Sequence, residues 1–183
     1  MTRLAPLTPE EMSEEQRRVY EKFRSVHTRT GVAITHLTWL RSPGLADCIA
    51  DFGPFLRWKC LDYRKRELTI LIVGRLAKQP MEWYLHLPYA REAGIEEDII
   101  TALAERRRPA FARESDAVLY DVVSELMDNY RVGQATYDRA MAVLGAKDLV
   151  ELVALAGYYV MMAMQIGTFE FRMPEGEKPP FVD

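Results

Sequence analysis

Glu82 and His86 stand four residues apart, about one helical turn, so a carboxylate and an imidazole project from nearly the same helix face. Glu67 precedes His86 by nineteen positions and opens the apolar run Leu68-Thr69-Ile70-Leu71-Ile72-Val73. A carboxylate at the head of such a run needs a partner, because burying an isolated charge is costly. Two acids and an imidazole meeting in an apolar pocket would have shifted pKa values and would suit proton transfer. The unperturbed pKa of histidine, near about 6.5, makes both of its forms accessible at neutral pH.

Each of these residues also has a purely structural reading. His86 could be a core histidine bonded to backbone or to a nearby acid. Glu82 could be an exposed first-turn acid, stabilised by the helix dipole by about 0.3–1 kcal/mol. Glu67 could belong to a buried ion pair with an arginine such as Arg75. Trp83 reads first as packing. Together with Tyr158, Tyr159 and His36 it completes the candidates for a substrate-binding wall. Glu67, Glu82 and His86 are competent metal ligands, yet one histidine and two carboxylates fall short of the common catalytic zinc sets, so no metal is expected.

The elements that must hold these groups are helices. Thr8-Pro9-Glu10-Glu11 and Ser13-Glu14-Glu15-Gln16 carry N-terminal signals, and a helix with Val19, Tyr20 and Phe23 on one face should end near Val26. Residues 27–31 read as loop, with His27 exposed. Ile34 to Leu40 returns to apolar spacing, and Ser42-Pro43 opens a helix ending near Cys60. Asp62 should cap the helix containing Glu67, whose apolar residues wrap the whole circumference and so predict a central position. A buried strand is the alternative for that run, but its flanks continue at helical period. Pro80 can start the helix of Glu82 and His86, Pro88 should bend it, and Gly94 should cap it. Beyond lie helices over Ile95 to Leu103, Ser115 to Tyr130, Gln134 to Leu144 and Lys147 to about Thr168. The last carries more apolar residues than one face needs, which predicts burial against a second subunit. The tail Met173 to Asp183 reads as extended or mobile. Val150-Glu151-Leu152 faintly echoes Arg66-Glu67-Leu68, but Glu170 stands where the second histidine would be.

Arg66-Glu67-Leu68, the Glu82-Trp83-x-x-His86 core and Ala90-Arg91-Glu92-Ala93-Gly94 resemble the carboxymuconolactone decarboxylase family, whose fold is shared with the alkylhydroperoxidase D (AhpD) proteins. Weaker similarity extends over roughly residues 4 to 170. The resemblance implies an all-α AhpD-like bundle of six or more helices, one domain over residues 1–172, and a site at or near a subunit interface. It implies a cofactor-free lyase with His86, Glu67 and Glu82 as catalytic residues, acting on a small lactone or carboxylic acid. A homo-oligomer is implied too, most often a trimer or hexamer, with a dimer as the smaller option. The peroxidase branch carries a Cys-x-x-Cys pair upstream of its histidine, and Gln79 and Glu82 occupy the matching positions here. That departure disfavours thiol chemistry. An isomerase or dehydratase using the same acids and imidazole, and a ligand-binding oligomer without catalysis, are the alternatives.

Composition bounds the rest. The chain has 183 residues, a net charge of -3 and two cysteines. Interspersed charge argues against nucleic acid as a partner. Arg106-Arg107-Arg108 is the one basic cluster, read as a solvated helix end with anion contact as the lesser reading. Cys48 and Cys60 show no redox spacing and read as small buried side chains. No membrane partner is expected, for want of eighteen consecutive apolar residues or a secretory leader, which makes the cytoplasm the default location.

Overall fold

The computed structural model of the chain describes residues 2–26 and 32–181. Among these residues there are nine α-helices and no strand. They are α1 (Glu14–Val26), α2 (Ile34–Trp39), α3 (Pro43–Trp58), α4 (Tyr63–Leu76), α5 (Pro80–Glu92), α6 (Glu97–Ala104), α7 (Glu114–Asn129), α8 (Gln134–Val143) and α9 (Gly145–Phe169). The loop expected over 27–31 lies outside the described residues.

The chain divides into two compact units. One comprises Met1–Lys59 and Gln165–Arg172. Its first helical signal yields only a 3-10 turn at Pro9–Glu11, where the Glu11 carboxylate accepts the Thr8 N–H at 2.9 Å. The second signal is a true capping box: Gln16 Oε1 accepts the Ser13 N–H at 2.8 Å and Ser13 Oγ accepts the Gln16 N–H at 3.3 Å. Lys22 holds α1 to α3 by donating to Asp47 and Asp51 at 2.8 and 2.7 Å. At the far end of α9, Gln165 donates to the Thr35 carbonyl at 2.9 Å.

The other unit comprises Cys60–Met164 and Met173–Asp183 and contains the candidate site. The Asp62 side chain caps α4 by accepting the Lys65 N–H at 2.9 Å. From Leu68 to Val73 every side chain of α4 is buried, as its all-round apolar pattern predicts, so the strand alternative is ruled out. The start of α4 is fixed by charge: Arg64 donates to buried Asp116 of α7 at 2.9 Å and also reaches the Gly94 carbonyl and Glu96. Gly94 ends α5 in the left-handed region at φ 73°, with its N–H on the Arg91 carbonyl and that of Ile95 on the Ala90 carbonyl. Glu151 of α9 accepts the N–H of Leu61, whose φ of 46° is also left-handed. The residue echoing Glu67 in sequence is thus a cap for the turn entering α4.

α9 spans 25 residues and is long and apolar enough, by length and composition alone, to cross a membrane. This corrects the expectation that no segment is. Half of its most apolar window is buried inside the protein, which a core helix also satisfies. Val150, Val153 and Met164 of α9 are exposed. Residues 173–181 form no helix, but Phe181 meets the Trp83 ring edge-on at 5.6 Å and lies 4.3 Å from the Arg75 guanidinium.

Candidate active site

α4 and α5 carry the three chemical groups. Glu67 sits in the second turn of α4, and the first and second turns of α5 carry Glu82 and His86. The packing of the two helices is close at Gly74, where an added Cβ would lie 3.5 Å from the Trp83 nitrogen and 3.8 Å from Glu82 Cβ and Cγ. A larger side chain there would hold the first turn of α5 away. With glycine present, the Cβ and Cγ of Glu82 lie next to α4.

His86 Nδ1–H donates to Glu67 Oε2 at 2.8 Å, both side chains being buried. The other oxygen, Oε1, accepts from Arg66 Nε at 3.2 Å. A fully buried carboxylate is thereby held between a guanidinium and an imidazole, which meets the requirement that a buried charge be paired. The Arg66 guanidinium lies 4.7 Å from the Tyr63 ring centroid, and the Tyr63 hydroxyl donates to Glu92 at 3.0 Å. Burial, reinforced by Glu92, pushes the Tyr63 phenol up to about 12, so it stays a donor through the neutral range. The buried ion pair of Glu67 is made by its neighbour Arg66 and not by Arg75, whose Nε donates to the Ala104 carbonyl.

Glu82 is not the exposed first-turn acid of the simple reading. It is 2% exposed, and neither carboxyl oxygen has a hydrogen-bond partner among the described residues. Desolvation alone holds its pKa well above the usual carboxylate range. The neutral acid is therefore the stable form, since an ionised carboxylate there would lack both water and counter-charge.

The aromatic candidates separate by position. Tyr159 meets the His86 ring edge-on at 5.2 Å, and Tyr89, which the sequence reading did not single out, lies at 6.0 Å. Tyr89 is three residues beyond His86, a spacing that puts two side chains side by side on a helix. Tyr158 packs on Tyr159 at 5.5 Å. Trp83 is buried, with its edge contact to Phe181. His36 belongs to the other unit, where it packs against Phe23 and Trp39 at 4.8 and 5.4 Å. The described residues contain no group of three histidine, cysteine or acidic side chains placed to hold a metal ion. Both cysteines are free thiols, and only Cys60 is buried. Cys48 is exposed, which corrects its reading as a core side chain. Burial and the neighbouring Glu151 raise the Cys60 thiol further, making it a poorer nucleophile.

No protein-family model matches the chain, and no curated protein matches it. Solved structures do. A peroxidase-related protein from Silicibacter sp. TM1040 superposes with a TM-score of 0.75 at 13% identity, over 96% of this chain and 92% of that one. The debrominase Bmp8 in its apo form gives 0.73 at 11% identity, over 93% and 91% of the two chains. ATU0492 from Agrobacterium tumefaciens, described as a putative antioxidant defence protein AhpD, gives 0.66 at 15% identity, over 75% and 95%. The fold is therefore all-α and AhpD-like, as the motif resemblance implies.

Proposed function

We propose that the chain is an acid-base enzyme of the carboxymuconolactone decarboxylase kind, a carbon–carbon lyase acting on a small lactone or carbonyl acid, with His86 as its proton carrier. The observation carrying this reading is the buried 2.8 Å bond between His86 Nδ1 and Glu67 Oε2. A carboxylate on Nδ1 fixes the tautomer and ring orientation and leaves Nε2 as the atom that exchanges a proton. In the proposed reaction the bond to the substrate carboxylate breaks and carbon dioxide leaves. The electron pair passes into the carbonyl conjugated with that carbon as an enolate, and the imidazolium Nε2–H delivers a proton to the enolate carbon. Glu67 stabilises the imidazolium. Neutral Glu82 donates a hydrogen bond to the enolate oxygen or provides the second proton, a role suited to an acid kept protonated by desolvation. Tyr159 and Tyr89 would form the wall beside the imidazole.

This chemistry is proton transfer and calls for no cofactor. A thiol peroxidase mechanism, suggested by the peroxidase-related structural neighbour, finds little support, because Gln79 and Glu82 stand where that branch has cysteines and Cys60 is a buried thiol. An isomerase would use the same atoms, with a carbon-bound proton as the group removed.

The test is incubation of the purified chain in deuterium oxide with carboxymuconolactone and a panel of lactone and β-keto acids. The lyase reading expects carbon dioxide release and one deuterium taken up per carbon dioxide, on the carbon that lost the carboxylate in a β-keto acid and on the carbon α to the ring carbonyl in carboxymuconolactone. Deuterium exchange without carbon dioxide would replace it with the isomerase reading, and neither event on any substrate would refute both.

A further inference from the structure

A cavity lies in the same unit as the Glu67–His86 pair but on a different face of α4. Its volume is about 150 Å³, room for about five waters at roughly 30 Å³ each. α4 lines it with Ile72, Arg75 and Leu76, and α6 with Leu103. Arg106 and Arg107 come from the segment after α6, and α7 adds Tyr120, Ser124 and Asp128 at one-turn intervals. Ile72 is five residues past Glu67, a rotation of about 140° around the helix, so the cavity and the imidazole are served by different sides of α4.

The lining has a consistent chemistry. Arg75, Arg106 and Arg107 line it with a single carboxylate, Asp128, and even with Arg107 paired to Glu105 the arginines outnumber the acids. Arg107 is braced by Glu105 at 2.8 Å, and Arg75 is fixed by the Ala104 carbonyl. Arg106 forms no ion pair among the described residues and is exposed, at the left-handed turn that ends α6. Ser124 Oγ is buried with no hydrogen-bond partner, an unspent donor and acceptor in the wall. Ile72, Leu76 and Leu103 supply an apolar floor on which an inorganic oxyanion would find no partner.

From this we infer that the cavity binds a small hydroxylated monocarboxylate. Its carboxylate pairs with Arg106 at the rim, its short carbon chain rests on the apolar floor, and its hydroxyl bonds Ser124. Asp128 opposes a second negative charge, which selects a monoanion over a dianion. The basic cluster of the sequence is thus divided in use: Arg106 and Arg107 line the cavity, whereas Arg108 is bound to Asp121 at 2.9 Å.

Isothermal titration of the full-length chain with 3-hydroxybutyrate, butyrate and inorganic phosphate tests this. The expectation is saturable binding of 3-hydroxybutyrate with a Kd on the order of 1 mM, weakened at least about tenfold by Arg106→Ala and no more than about twofold by Arg108→Ala. Ser124→Ala should remove the preference for 3-hydroxybutyrate over butyrate. Arg106 and Arg108 are both at the surface, and circular dichroism confirms that each variant is folded. No saturable binding, phosphate binding as tightly as 3-hydroxybutyrate, or equal loss in the two arginine variants would overturn the assignment.

Discussion

His86 Nδ1 and Glu67 Oε2 lie 2.8 Å apart, joining α5 to α4 across nineteen residues of sequence. The bond has a structural role as well as the proposed chemical one, because Glu67 also neutralises buried Arg66. Replacing Glu67 by Gln keeps the shape but removes the carboxylate that pairs with both Arg66 and His86. The expected destabilisation is about 3–5 kcal/mol, the range for breaking a buried pair, read from urea unfolding midpoints. A loss under about 1 kcal/mol would mean that Arg66 finds water or another acid.

Glu82 makes folding depend on pH in a defined direction. Its pKa is raised in the folded chain, so the native state holds a proton that the unfolded state releases above about pH 4.3. Its contribution is therefore fully present below that pH and is lost as pH rises towards the folded pKa, by about 1.4 kcal/mol per unit. Glu82→Gln removes the titration. Stability measured from pH 4 to 8 should fall less steeply in the variant than in the parent. Parallel curves would show that Glu82 is ionised in the native state.

Gly74 marks where α4 and α5 approach. A methyl group meets neighbours only at ordinary contact distance, from 3.5 Å, so Gly74→Ala should be neutral or stabilising by up to about 1 kcal/mol through helix propensity. Gly74→Leu must displace the first turn of α5 and should lower the melting temperature together with any activity that needs Glu82. A melting temperature unchanged by leucine would contradict the close approach.

The Asp62 cap is a further test, removed from the chemistry. Asp62→Ala should cost about 0.5–2 kcal/mol by leaving the Lys65 N–H without its acceptor, measured by thermal unfolding. No change would mean that the start of α4 is held by the Arg64 cluster alone.

Local signals carried much of this reading. Asp62, Pro80 and Gly94 mark the limits of α4 and α5 because capping chemistry is contained within a few residues. The all-round apolar pattern of α4 announced its burial for the same reason. What escaped depends on groups distant in sequence. The desolvation of Glu82 depends on the packing of α5 against α4, and the docking of Phe181 on Trp83 and Arg75 joins a proline-rich tail to residues about a hundred positions earlier. The choice of Arg66 over Arg75 escaped because adjacent residues on a helix point in different directions, and only the length of the guanidinium side chain brings Arg66 Nε back to Glu67. Cys48 reads as buried from its residue type, but α3 turns that position outward.

Turnover by the parent chain and by His86→Ala, followed as carbon dioxide release from carboxymuconolactone and related lactone acids, tests His86 as the proton carrier. With circular dichroism showing both proteins folded, the expected result is release by the parent and a loss of at least about 10²-fold in the variant. Equal release by the two would contradict the assignment of His86 as the proton carrier.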